Sequence, residues 1–292
     1  MSVNVKERKG LVTVAMPIFN EEKYIQETLE SVVGQSYENL EILISDNAST
    51  DRTGAICREC ARKDRRIKYH RQAGNIGSAE NYFYLVNRAQ GEYFVTISGH
   101  DKWSPNLVAE CVKLLTDIPT ATVAYGTPVW IGERGEFINK KAGWYDSRGC
   151  NVISRFFSVF WGDMNPVLGI FRYDKLPRFA RKDSFVGLDL ALLADMAIKG
   201  EFLHATKAVF YRRRNRPAED YRDKLNRYKS KDVQIARTVF SRSFPLVRLP
   251  FELLRIVVRS DIEFLDKIFI IMLLAPSFPI RYILGKRDNK KK

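Results

Sequence analysis

Apolar residues in the first hundred positions fall into short β-rich runs, separated by stretches in which they recur every three or four residues. Residues 11–16 form one such run, closed by Pro17, and Tyr24, Ile25, Leu29, Val32 and Val33 then repeat at helical spacing over 22–33. The alternation continues with strand signals at 40–44, 67–70 and 93–97 and helix signals at 51–61 and 78–89. A repeated βα unit demands a largely parallel sheet covered on both faces. Farther on, the pattern predicts a helix over 107–115, a strand over 121–125, a hairpin over 127–141 with Gly132 and Gly135 at its turn, an aromatic-rich helix over 152–160 and a strand over 202–210. Ligands of open parallel sheets bind at the carboxyl ends of the strands. Residues 17–21, 46–51 and 98–101 fall at that edge.

Composition sets the scale. At 292 residues, 45% hydrophobic and 28% charged, the chain buries a full core and is not disordered. Charge alters the picture at one end only: residues 201–292 hold 22 Lys and Arg against 10 Asp and Glu, so most of the net +14 sits there. Residues 1–9 are polar and lack the apolar stretch of a secretory signal, which predicts a cytoplasmic protein with reduced thiols. Cys57 and Cys60 form a CxxC on a helical stretch with no second CxxC to complete a zinc site.

The polar strand ends carry the candidate chemistry. Asp46, Asn47, Ser49 and Asp51 suit a turn feeding a helix cap, and a carboxylate at Asp46 equally suits acceptance of a uracil imide proton. Pro17-Ile18-Phe19-Asn20-Glu21, the Asp46 loop, Asn75-Ile76-Gly77 with Asn81, and Ser98-Gly99-His100-Asp101 occur in the order found in family 2 glycosyltransferases of the GT-A fold, which this chain resembles over about residues 12–216. The resemblance implies an α/β fold, GT-A and Rossmann-like, with a mostly parallel sheet and helices on both faces. It further implies nucleotide contacts from Pro17, Phe19, Asn20, Glu21, Asp46, Asn47, Ser49, Asn75, Gly77 and Asn81. At Asn75–Gly77, glycine permits close backbone approach and the following helix N-terminus favours an anion.

Where the family commonly shows an Asp-x-Asp-Asp cluster, Ser98 and His100 stand in place of two acids and Asp101 remains. One carboxylate and an imidazole, with the donor's diphosphate oxygens, still suit a divalent ion, Mn²⁺ or Mg²⁺, with Mn²⁺ favoured by His100. His100 also suits a plain hydrogen-bonding role. Asp189, with Leu188 where a neighbouring acid is common, resembles the family's general base. An acid at a helix start equally suits dipole stabilisation. Residues 165–172 resemble the strand lining the acceptor side, which points to Trp161, Asn165 and Gly169. Tyr211, Arg212, Arg213 and Arg214 resemble a segment that closes over the site or contacts diphosphate.

Beyond residue 217 the chain changes character. Residues 220–240 read as a basic helix, 244–258 as an amphipathic basic one, and 268–276 as an apolar stretch too short to span a bilayer. We therefore expect a glycosyltransferase domain over 1–217, with a nucleotide half at about 11–103 and an acceptor half at about 104–217. A helical, basic and apolar extension then covers 218–292, contacting an anionic membrane surface or another subunit. The function implied is inverting transfer of a sugar from a nucleoside-diphosphate sugar, UDP-sugar favoured, to a saccharide or lipid-linked acceptor. The setting implied is surface polysaccharide or glycolipid synthesis, peripheral or monotopic at the inner face of the cell membrane. A catalytically inactive nucleotide-binding module is the alternative, and no nucleic-acid motif accompanies the basic tail.

Overall fold

The computed structural model describes residues 9–140, 143, 145–177, 184–214 and 248–290, with side chains through Arg281. The basic helix expected over 220–240 lies outside the described residues.

The βα alternation folds as β1 (Val12–Ile18), α1 (Ile25–Val33), β2 (Leu40–Asp46), α2 (Thr53–Lys63), β3 (Ile67–Arg71), α3 (Ser78–Val86) and β4 (Tyr93–Thr96). There follow β5 (Lys102–Trp103), α4 (Leu107–Asp117), β6 (Val123–Ile131), α5 (Val152–Trp161), β7 (Ile170–Arg172), α6 (Leu188–Lys199) and β8 (Phe202–Arg213). Two further helices, α7 (Arg248–Arg259) and α8 (Phe264–Lys290), complete the described residues. The strands form a mixed sheet of order β3-β2-β1-β4-β7-β6-β8-β5. β1 pairs in parallel with both β2 and β4, so successive connections leave it in opposite directions. A switch point of this kind opens a crevice at the strand ends.

Period-two alternation along β1 explains the two cores. Val12, Val14, Met16 and Ile18 face the layer of α1, α2 and α4, whereas Ala15 faces α3, α5 and α6. The second layer is thickened by α7 and α8, whose Leu253, Val257, Ile270 and Leu274 are buried against it. The inner face of the C-terminal helices thus belongs to the same core as α5 and α6.

Three local expectations need correction. The hairpin over 127–141 is shorter than expected, because residues 127–131 continue β6, which runs parallel to β8 through Ile131↔Arg213 after a register shift at Gly126/Thr127. The chain then folds back tightly about residues 132–135, with the bridge Ile131↔Phe137, the Gly132 amide on the Glu136 carbonyl at 2.8 Å and the Ile138 amide on the Trp130 carbonyl at 2.9 Å. A remote strand supplies the partner of residues 127–131, which local pattern does not reveal. Residues 165–172 are not one strand: Asn165–Leu168 is a 3₁₀ turn ahead of the three residues of β7, consistent with Pro166 lacking a ladder donor. The apolar stretch at 268–276 does not stop at Pro276, for α8 continues through Pro276 and Pro279, held by Phe278 edge-on to Phe160 of α5.

Candidate active site

The loops after β1 and β2 are laced together by their polar residues. Asn20 (φ 53) donates its amide to Ser49 Oγ at 3.0 Å and accepts the Thr50 amide at 2.8 Å on Oδ1, while the Glu21 amide donates to Thr53 Oγ1 at 2.7 Å. Asp46 is fully buried. Its Oδ1 accepts the Ser49 amide at 2.8 Å, and its Oδ2 accepts the Tyr69 hydroxyl at 2.7 Å and Arg71 Nη1 at 3.1 Å. Asn47 bridges to Asn75 Oδ1 at 2.8 Å and to the Ile76 amide at 2.9 Å, and buried Asn81 holds Ser45. Gly77, at φ 86, makes the turn into α3 that disfavours a side chain. Among the residues expected at the nucleotide, Asp46, Asn47, Ser49 and Asn81 are thus engaged in building the rim. Phe19, Asn20 and Asn75 are exposed, while Pro17 and Glu21 are half-buried.

The turn after β4 is pinned from several sides. Gly99 lies so close to Glu21 that an added Cβ would come within 2.7 Å of its Cγ. His100 Nδ1 lies 2.9 Å from Glu21 Oε1, and Thr28 Oγ1 donates to the Asp101 carbonyl at 2.8 Å. Asp101 is buried, and its Oδ1 accepts the Arg213 amide at 2.8 Å. Burial raises its carboxyl above the ordinary range, with His100, the Arg213 amide and Arg212 opposing and Glu21 reinforcing. Among the described residues no three His, Cys, Asp or Glu side chains converge on a metal position. The bonds above leave Asp101 Oδ2 and His100 Nε2 as two donor atoms, which fit an ion completed by oxygens of a bound diphosphate.

Arg213 is the residue whose role the sequence pattern conceals most. Tyr211, Arg212 and Arg213, expected in a segment that closes over the site or contacts diphosphate, are the last residues of β8. The buried Arg213 guanidinium donates to the carbonyls of His100 at 2.9 Å, Gly132 at 3.0 Å and Glu133 at 3.0 Å, and pairs with Glu27. With those acceptors filled it is a clamp on the turn rather than a diphosphate ligand. Tyr211 lies beside Phe137, and Arg214 is exposed just past the strand. Arg212, stacked 4.6 Å from the Trp130 ring, is different because its charge acts on both Asp101 and Asp189.

Asp189 opens α6 directly after Gly187, which takes φ 95. Its side chain is reached by water but stands on a cavity wall, where neighbouring protein atoms remove part of its hydration. That desolvation raises its carboxyl above the ordinary range, and Arg212 opposes it. A cavity of about 300 Å³ runs from Asp189 to Ser98, walled by Ser78, Tyr82, Thr96 and Phe185 among others. Val167, Leu168 and Phe171 also line it. Of the expected acceptor residues, Trp161 is exposed, Asn165 is buried and donates to the Gly143 carbonyl at 2.8 Å, and Gly169 packs with its missing Cβ 2.8 Å from the Ala124 carbonyl. None of the three lines this cavity. The neighbours Val167 and Leu168 do so because the 3₁₀ turn rotates them inward. Cys57 is buried on α2, where desolvation raises its thiol to about 12, and no disulfide joins it to Cys60.

A mixed sheet with its switch point at β1, and a cavity that reaches from Ser98 at the end of β4 to the helix-start acid Asp189, belong to a GT-A-type α/β fold. The sequence profile of glycosyl transferase family 2 matches residues 13–167, and the chain belongs to that family. Among curated relatives, the glycosyltransferase GlyG of Streptococcus pneumoniae is 33% identical over 98 residues, covering 34% of this chain and 33% of GlyG. GlyA of the same organism is 37% identical over 92 residues, covering 32% of this chain and 13% of GlyA. The chain thus spans about a third or less of these relatives. In three dimensions, Staphylococcus aureus TarS 1–349 in complex with UDP-GlcNAc superposes with a TM-score of 0.61 at 18% identity, over 88% of this chain and 69% of that one. The mannosyltransferase PcManGT of Pyrobaculum calidifontis, in complex with GDP-Man and Mn²⁺, gives 0.52 at 17% identity, over 95% and 84%. At such identities the likeness is one of fold.

Proposed function

We propose that the protein transfers a sugar from a nucleoside-diphosphate sugar to an acceptor hydroxyl with inversion at the anomeric carbon. The observation that supports this reading is the cavity that Asp189 lines, which reaches Ser98 at the end of β4, with the charge of Arg212 acting to lower the carboxyls of both Asp189 and Asp101. In this scheme Asp189 takes the acceptor proton as the new bond forms. Its raised pKa makes the Asp189 carboxylate a stronger base than that of an ordinary aspartate. Arg212 offsets charge on the departing diphosphate. Asp101 and His100 would hold a divalent ion together with that diphosphate, and the ion supplies Lewis-acid stabilisation of the leaving group. Mn²⁺ suits the imidazole better than Mg²⁺.

UDP is the favoured nucleotide, supported by the UDP-GlcNAc complex of TarS. The exposed rim of Phe19, Asn20 and Asn75 is the place for it, with buried Asp46 either shaping that rim or turning from Tyr69 to reach the base. The setting is surface-polysaccharide or glycolipid assembly at the cytoplasmic leaflet, with a saccharide or lipid-linked acceptor. The test is nucleoside diphosphate release across UDP-, GDP-, dTDP- and CDP-sugars with Mn²⁺. Release stimulated by a saccharide or glycolipid acceptor and abolished in Asp189→Asn supports the reading. Nucleotide binding without release under any of these conditions replaces it with a silent binding module.

A further inference from the structure

Helix α8 is apolar on two opposite sides. Ile270 and Leu274 are buried against the core, yet Leu265, Phe269, Met272, Leu273 and Ile280, spaced at i, i+4, i+7, i+8 and i+15, are 63%, 51%, 65%, 48% and 47% exposed. These positions fall on a single helical stripe. Alongside, α7 packs on α8 and exposes Phe251 and Val258 together with Arg255 and Arg259. Isolated exposed apolar residues are ordinary, but a continuous stripe of this kind marks a surface that is covered in use.

We propose that this outward face of α7 and α8 lies in the headgroup region of an anionic lipid surface. Charge favours lipid over a second copy of the chain. Arg248, Arg255 and Arg259 are exposed on α7, with Glu252 their nearby acid partner. The outward stripe of α7 carries these three arginines and, among the described residues, no exposed acid. Two such faces brought together would repel, whereas an anionic headgroup layer is complementary. Asp261 and Glu263 sit in the turn between the helices, outside the stripe. Among the described residues no helix is long and apolar enough to cross a bilayer, so the helices lie along the surface rather than through it. At its start α7 touches the crevice wall: Arg248 stacks 4.6 Å from Phe185, and Leu249 packs on Gly187, two residues before Asp189. Docking by this face therefore sets the Asp189 cavity close to the lipid, where an amphiphilic acceptor is presented.

Removing the tail would not test this, because α7 and α8 fill the core. Point changes on the outward stripe do. The full chain should float with vesicles of phosphatidylglycerol and phosphatidylethanolamine, far less with phosphatidylcholine alone, and less at high salt. Phe269→Glu with Met272→Glu should lower vesicle affinity by about ten-fold or more, and Arg255→Glu with Arg259→Glu should remove the anionic preference. Both pairs should leave the thermal midpoint and nucleotide binding unchanged, since these side chains face solvent. Absence of flotation, equal flotation of the variants, or a dimer in light scattering that the Glu substitutions dissociate without any vesicle binding would overturn the proposal. Nucleotide binding and turnover are read separately, so their failure bears on the transferase reading and leaves the docking result standing.

Discussion

Replacing Arg213 with Met keeps most of the stem's volume and removes the guanidinium that ties β8 to the turn after β4. Arg213 is 4% exposed. Its head donates to the carbonyls of His100, Gly132 and Glu133 at 2.9, 3.0 and 3.0 Å, pairs with Glu27, and lies 4.5 Å from the Tyr24 ring. Breaking a buried pair by deleting one partner costs about 3–5 kcal/mol. Glu27 is 44% exposed and keeps Lys102 at 2.7 Å, so its share is at the low end, while three carbonyls lose their donor. We expect a loss of about 3 kcal/mol, or roughly 6–12 °C in Tm for a chain of this size. Arg213→Lys retains the charge beside Glu27, but one ammonium serves fewer of the four acceptors, so about half the loss should remain. Thermal unfolding followed by circular dichroism reads the stability, and nucleotide titration reads the site, because releasing the His100 carbonyl loosens the turn that carries Asp101. A Met variant that unfolds within about 1 °C of the parent and binds nucleotide equally well would refute the clamp.

Asp189→Asn should lower turnover by about two or more orders of magnitude with donor binding nearly intact, since only proton removal is lost; near-normal turnover removes Asp189 from the base role. Because partial desolvation on the cavity wall raises the Asp189 carboxyl, the base is lost as pH falls through that raised value. The acid limb of kcat/KM should thus lie above the ordinary aspartate value of about 3.9, and a limb at or below it counts against the desolvated environment. Burial raises Asp101 as well, so its ionised form opposes folding increasingly as pH rises from the unfolded pKa toward the folded one. Asp101→Asn, whose amide oxygen still accepts the Arg213 amide, should leave Tm at neutral pH unchanged or higher while weakening divalent-ion dependence of donor binding; a lower Tm would contradict this. Gly187→Ala places a side chain at φ 95 with its Cβ 2.7 Å from Leu249 Cδ2, and should cost about 1–3 kcal/mol in chemical denaturation, a neutral result showing that the turn adjusts freely.

The sequence alone determined the βα alternation, the switch-point edge and the members of that edge. Strand and helix periodicities are local, and each depends on which residues a few positions apart share a face. The Asn20–Ser49 lacing was also within reach, because turn and cap residues act on their immediate surroundings. What lay beyond local pattern was partnership across the chain. That residues 127–131 run beside β8 before the chain folds back depends on a partner some eighty residues later. That pairing extended β8 to Arg213 and buried its guanidinium as a clamp. Likewise Arg212 and Arg213 are adjacent and identical in type. Alternation across the strand leaves Arg212 stacked on Trp130, its charge felt at Asp101 and Asp189, and turns Arg213 to Glu27 and three carbonyls. Composition carries no information about that choice. It is made by which face of β8 the rest of the molecule covers, because a charge is tolerated in the interior only where partners from distant segments converge on it.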